Sequence, residues 1–208
     1  PLTRMFRRPA VPMTALLLAV FLSAGVATAS VKPGDDAPAF TLTSVEGTTH
    51  SLSDHAGKWV VLEWVNFDCP FVKKHYRSGN MSALQKKWRD QGVVWYSINS
   101  SARGKQGHFE TAELKERIAA EKAAPTAYLL DPNGKTGRAY GAQVTPHMFV
   151  INPEGKLVYT GAIDDKPTTK PEDVKTARNH VDAALTAARA GKPVSPAATK
   201  AYGCTVKY

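Results

Sequence analysis

The sequence predicts an α/β fold: a central mixed sheet with helices on both faces, an N-terminal β-hairpin extension and a C-terminal tail. Three observations carry this. Short apolar runs alternate with segments of helical periodicity, the last two runs are joined by a tight turn, and no internal repeat or long linker divides them.

The elements follow in order. Ala39 to Thr43 alternates as a strand, Glu46-Gly47 turns, and Thr48 to Leu52 returns, which makes the hairpin ahead of the main body. Trp59 to Val65 (WVVLEWV) is the strongest buried-strand signal. The loop Asn66-Phe67-Asp68-Cys69-Pro70 follows, with proline suited to the first turn of a helix. Val72, Tyr76, Leu84 and Trp88 then sit at helical spacing, interrupted by Ser78-Gly79-Asn80, so this helix is kinked or split there. Val93 to Ile98 is the next strand. Glu110 to Ala124 is an amphipathic helix with Leu114 and Ile118 inward and Glu113 paired to Arg117. Ala127 to Leu130 is a third core strand. After Val144-Thr145-Pro146, the runs Met148 to Ile151 and Lys156 to Thr160 form a hairpin around Asn152-Pro153-Glu154-Gly155. A final helix is expected from about Lys170 to Ala190, opened by a Thr169/Glu172 capping box and stopped by Gly191 and Pro193.

Composition fits one globular domain: 208 residues, 43% hydrophobic and 22% charged, with 15 Gly and 14 Pro showing no period that would signal a fibrous or disordered chain. The first residues stand apart. Arg4, Arg7 and Arg8 flank the apolar run Ala15 to Leu22, and Ala27-Thr28-Ala29 has the small-x-small form of a signal-peptidase site. The expected organisation is a signal peptide at 1–29, a domain at 30–191 and a tail at 192–208 carrying Cys204. The chain is expected to be exported, to the periplasm or outside the cell, without stable membrane insertion once the signal is removed. Taking away the three leader arginines lowers the formal charge from +9 to +6. Lys73, Lys74, Arg77, Lys86, Lys87 and Arg89 read as a solvated basic helix surface. Nothing in the pattern is a nucleic-acid-binding motif.

The only two cysteines are Cys69 and Cys204, too few for a disulfide scaffold or a four-cysteine zinc site. Cys69 ends a core strand and begins a helix, whose unpaired N–H groups and dipole favour a thiolate. Lys73, one turn on, adds positive charge. A buried, inert cysteine is the alternative. Cys69, His75, His147 and Cys204 are also ligand types suited to copper or zinc. The six-residue gap between Cys69 and His75 does not place both on one helical face, and no metal or other cofactor is assigned. His50, His55, His108 and His180 read as surface residues.

The order of strand, Cys69-Pro70, helix, and a later Thr145-Pro146 before an apolar strand resembles the thioredoxin superfamily, in particular its redoxin branch of alkyl hydroperoxide reductase and thiol-specific antioxidant-like proteins. The opening Pro33-Gly34-Asp35-Asp36-Ala37-Pro38-Ala39-Phe40 and Gly57-Lys58 before the strand match that branch. With the terminal Gly203-Cys204-Thr205-Val206-Lys207-Tyr208, the chain is most similar to peroxiredoxin-like exported bacterial redoxins. The resemblance implies a thioredoxin-like fold and a cis Pro146 lying against Cys69, with the Thr145 backbone free to pair with an extended substrate. It implies thiol-disulfide exchange or peroxide reduction, with a thiol, disulfide or peroxide substrate and an unidentified electron donor. His147 is either a nearby base or a surface residue.

Two departures narrow this. Val72 occupies the place of the second cysteine of a Cys-x-x-Cys pair, so a self-contained dithiol cycle at that motif is excluded. Leu62 and Asn66 occupy the places of the peroxiredoxin Pro and Thr or Ser, so the hydroxyl that helps bind peroxide is absent. Cys204 is the candidate partner. It resolves an intermediate on Cys69, forms a permanent disulfide that staples the tail to a non-catalytic binding module, or stays apart from Cys69 and serves intermolecular pairing; a copper carrier is a further reading.

Overall fold

The computed structural model describes residues 30–208; the expected signal peptide lies outside the described residues. The chain enters through a hairpin of β1 (Thr41–Ser44) and β2 (Thr49–Ser51), then a 3-10 turn at Leu52–His55. The run WVVLEWV supplies β3 (Val60–Trp64). Helices α1 (Pro70–Arg77) and α2 (Asn80–Arg89) follow, then β4 (Val94–Asn99), α3 (Thr111–Ala120), β5 (Ala127–Leu130) and α4 (Lys135–Tyr140). The short strand β6 (Val144–Thr145) precedes the hairpin β7 (His147–Ile151) and β8 (Leu157–Gly161). A 3-10 segment (Pro171–Thr176), α5 (His180–Arg189) and β9 (Cys204–Thr205) complete the chain.

Seven strands form one mixed sheet in the order β2-β1-β5-β4-β3-β7-β8. The helical connections leave β3, β4 and β5 parallel, whereas the tight turns make β1–β2 and β7–β8 antiparallel. The N-terminal hairpin extends the sheet, since β1 pairs with β5. Side-chain alternation sorts the strands onto two faces. Val60, Leu62 and Trp64 of β3 join Tyr96, Leu129 and Phe149 under Tyr140 of α4. Val61, Trp95, Tyr128 and Val150 face the other way and are covered by Val72, Leu84, Leu114 and Leu185 from α1, α2, α3 and α5. Helices thus lie on both faces, most of them on the face that carries Cys69.

Of the two forms expected at Ser78-Gly79-Asn80, kinked or split, the structure has the split: Gly79 takes φ +74, a backbone state a side chain disfavours. Other sequence expectations are revised. The single helix expected over 170–190 is two pieces. Lys170, not Thr169, caps the 3-10 segment, Ala177 is extended, and the Asn179 side chain accepts from the Asp182 N–H at 2.9 Å to start α5 afresh. Lys74 is not part of a solvated basic surface; it is 1% exposed. Its neighbours in that run are partly neutralised, Lys86 by Asp90 at 2.8 Å and Lys87 by Asp182 at 2.5 Å. The tail is built into the body. Ala198 bridges to Thr160, the Thr199 hydroxyl bonds the Ala162 N–H at 2.9 Å, β9 pairs with β6, and the Tyr208 hydroxyl donates to the Ala142 carbonyl at 2.6 Å.

Candidate functional site

Cys69 stands at the N-cap of α1, with Pro70 in the first turn. The loop before it is a tight turn. The Asn66 side chain accepts from the Asp68 N–H at 2.9 Å, the Asn66 carbonyl accepts from the Cys69 N–H at 3.0 Å, and Arg117 of α3 holds the Asp68 carboxylate at 2.9 Å. Asn66, which replaces a hydroxyl residue of the peroxiredoxin pattern, therefore shapes the turn that aims Cys69.

The thiol is 0% exposed. It makes no side-chain cap to the helix N–H groups; it donates to the Thr145 carbonyl at 3.0 Å. The Thr145–Pro146 peptide bond is cis. From the tail, the Cys204 N–H points at the Cys69 sulfur at 3.4 Å, within reach of a weak bond to sulfur, and both cysteines are free thiols. Cys204 is held there by antiparallel pairing of Thr145 with Cys204 and Val144 with Thr205. The Thr145 backbone edge, which the resemblance offers to an extended substrate, is thus occupied by the protein's own tail. Burial, reinforced by the neighbouring Cys69 sulfur, pushes the Cys204 thiol up to about 12, so it carries its proton at neutral pH.

Of the residues singled out in the sequence, Cys69, Thr145, Pro146 and Cys204 come together from distant parts of the chain. Lys73 does not join them directly. Its N–H bonds the Cys69 carbonyl at 2.9 Å as part of α1, and its half-buried side chain makes no hydrogen bond to the sulfur among the described residues. Val72 is 1% exposed in the core. His147 is a core residue, with Nδ1 3.3 Å from the Gln143 N–H and Nε2 3.3 Å from the Thr160 hydroxyl; burial lowers it to about 4 and keeps it neutral. His75 is also buried and lowered to about 4, chiefly by desolvation. With both rings engaged, and no cluster of three metal-ligating side chains among the described residues, the copper-carrier reading gains no support.

Two polar clusters had little or no signature in the sequence. Glu63, six residues before Cys69, is 0% exposed and accepts from Tyr76 Oη (2.8 Å), Gln85 Nε2 (2.9 Å), Trp95 Nε1 (3.0 Å) and Ser97 Oγ (3.0 Å). Burial raises its pKa, and the four donors pull it back in part. Its only sequence signal was a lone acid inside WVVLEWV. The second cluster joins α1 to the tail. Lys74 Nζ meets the Asp164 carboxylate at 3.1 Å and the Lys166 carbonyl at 2.6 Å, while Tyr202, two residues before Cys204, donates its hydroxyl to Asp164.

A cysteine capping the helix after a central parallel strand, faced by a cis Thr-Pro loop leading into an antiparallel hairpin, defines a thioredoxin-superfamily protein of the redoxin branch. The chain belongs to the AhpC/TSA family, whose sequence model matches residues 33–160. It is 30% identical over 129 residues to the thiol-disulfide oxidoreductase ResA of Bacillus subtilis, a match spanning 62% of this chain and 66%, just under two thirds, of that relative. Among solved structures it is similar to an uncharacterized conserved protein from Geobacillus kaustophilus, with TM-score 0.72, 27% identity and coverage of 85% of this chain and 92% of that one. The thioredoxin domain of a thiol-disulfide oxidoreductase from Bacteroides vulgatus shares the fold, with TM-score 0.53, 22% identity and coverage of 71% and 98%.

Proposed function

We propose that the protein is an exported thiol-disulfide oxidoreductase in which Cys69 is the nucleophile and Cys204 the resolving cysteine. The observation that carries this is the seating of Cys204 on Cys69 across 135 positions of chain, with its N–H on the sulfur. The ResA relative supports the reaction class, and the basic flank, apolar run and Ala27-Thr28-Ala29 of the leader support export.

The cycle balances as two exchanges. The Cys69 thiolate attacks a substrate disulfide, forming a mixed disulfide and releasing one substrate thiolate, which takes up a proton. Cys204, losing its proton as it attacks, then bonds to the Cys69 sulfur and expels the second substrate thiol. The substrate is reduced by two electrons, the protein is left with a Cys69–Cys204 disulfide, and an external dithiol restores it. Thr145, set by the cis bond to Pro146, presents the backbone edge that the substrate and the resolving tail occupy in turn. Since Cys69 is sealed by β9, an incoming disulfide has to displace the tail, and the tail's return delivers the resolving thiol.

Reduction of a peptide disulfide at the expense of dithiothreitol tests the reading. Turnover is expected in the full protein, absent in Cys69→Ser, and arrested at a Cys69 mixed disulfide in Cys204→Ser. A Cys69→Ser protein that still turns over removes the proposal, and turnover with a hydroperoxide in place of the disulfide moves it to the peroxidase reading.

A further inference from the structure

We infer that Tyr202 is the positioning residue of the resolving thiol: its hydroxyl, seated on the buried Lys74–Asp164 pair beside His75, latches the tail strand that both covers Cys69 and delivers Cys204. The inference rests on the proposed roles of the two cysteines and adds the part that controls their meeting.

The latch joins three segments. Lys74 and His75 lie on α1, one to two turns beyond Cys69, and are 1% and 0% exposed; Asp164, in the connection after β8, is 2% exposed. Charges so far from water need partners. Lys74 Nζ has both Asp164 oxygens, at 3.1 and 3.3 Å, and the Lys166 carbonyl at 2.6 Å. The carboxylate keeps acceptor capacity, and the Tyr202 hydroxyl fills it by donating to Asp164 Oδ1. That hydroxyl also stands 3.3 Å from His75 Nε2 and 3.4 Å from Lys74 Nζ. The Tyr202 ring packs edge-on against Phe71, two residues after Cys69, with centroids 5.7 Å apart. One phenol therefore reads the position of the helix that Cys69 caps.

The next residue, Gly203, ties that position to Cys204. It lies so close to the Thr145 carbonyl that a Cβ would overlap its oxygen and sit 2.6 Å from its carbon, and φ there is +147. The tail passes the cis loop without a side chain in the way, and Cys204 emerges pointing its N–H at Cys69. With Tyr202 on one side and the β6–β9 pairing on the other, Cys204 is fixed at both ends. A tyrosine serving only the core would stabilise the fold as a whole. A latch changes two rates in opposite senses: releasing it opens Cys69 to reagents and lowers the local concentration of Cys204 around a mixed disulfide.

The experiment uses the reduced full chain and 5,5′-dithiobis(2-nitrobenzoate). In the first phase Cys69 attacks the reagent and releases one thionitrobenzoate; in the second, Cys204 attacks the mixed disulfide and releases another. In Tyr202→Phe the first phase is expected to quicken and the second to slow, each by about tenfold, the weight of one hydrogen bond to a charged acceptor. His75→Leu, which removes a weaker contact of the same hydroxyl, shifts both phases in the same senses and serves if Tyr202→Phe folds poorly. Wild-type rates for both phases, or both phases moving together, overturn the latch. A wild-type protein that releases only one equivalent overturns the underlying assignment of Cys204 instead.

Discussion

Replacing Gly203 by alanine asks whether the tail strand is what seals Cys69. The new Cβ would lie 2.6 Å from the Thr145 carbonyl carbon and 3.3 Å from the Pro146 nitrogen, and would overlap the Thr145 oxygen, where ordinary contact begins near 3.4 Å. Every close neighbour is backbone of the cis loop, so no flexible side chain can swing away, and φ +147 adds strain for any L side chain. Relief requires the tail to retreat by roughly 1 Å, enough to take the Cys204 N–H, now 3.4 Å from the Cys69 sulfur, out of bonding range. Overpacking of this kind costs about 1–3 kcal/mol, which at about 1.4 kcal/mol per tenfold raises the population of the undocked tail about 5- to 150-fold. Alkylation of Cys69 by iodoacetamide under native conditions should quicken by that factor. Amide exchange at Val206, whose N–H bonds the Gln143 carbonyl at 2.9 Å, should quicken with it, while the β3 and β4 amides keep their protection. If Gly203→Ala leaves Cys69 as slow to alkylate as in the wild type, the tail is not the cover.

Three other outcomes are expected from the buried polar groups. Glu63→Leu strands the hydrogen-bond donors of Tyr76, Gln85, Trp95 and Ser97 and should lower stability to urea by at least about 3 kcal/mol; a loss under about 1 kcal/mol would show that these groups find other partners. Lys74→Met leaves the Asp164 charge buried with no cation bonded to it, only the Tyr202 hydroxyl, the Lys166 N–H and the neutral His75 ring near it, at a cost of about 3–5 kcal/mol, and adding Asp164→Leu should recover most of that loss. His75 and His147 are lowered by burial to about 4, against 6.5 for an exposed imidazole. The unfolded chain then takes up the proton first, so stability falls as pH drops from 6.5 toward 4, by about 2 kcal/mol per histidine between pH 7 and pH 5. Glu63, raised by burial, acts in the opposite sense. His147→Asn should show a shallower acid loss than the wild type in denaturation at the two pH values; an equal slope would refute the assignment.

The sheet was legible because apolar runs and turn residues are local signals: β5 falls on the expected residues, and β3, β4 and β7 shift by a residue or so at their ends. The late helix misled because Thr169 and Glu172 match a capping box by spacing, while Asn179 offers the better cap nine residues from the expected start. Cys69 could be picked out because it follows a recognisable strand and opens a helix, and Thr145-Pro146 because of the family resemblance. Lys74, Asp164 and Tyr202 could not, since a buried ion pair looks like surface charge until its 90-residue separation is closed. The basic run hid Lys74 for the same reason: helical spacing tells which face a residue is on, not whether a tail will cover it. The short pairing β6–β9 has two residues on each side and no periodicity to detect.

Two thiols 135 positions apart should form one redox centre. Intact mass and a non-reducing peptide map after equilibration with oxidised glutathione test it most directly. The protein is expected to lose two hydrogens and to yield one joined peptide containing Cys69 and Cys204, with glutathione retained on Cys69 only in Cys204→Ser. A wild-type protein that keeps glutathione on Cys69, or leaves Cys69 unmodified at equilibrium, would contradict it.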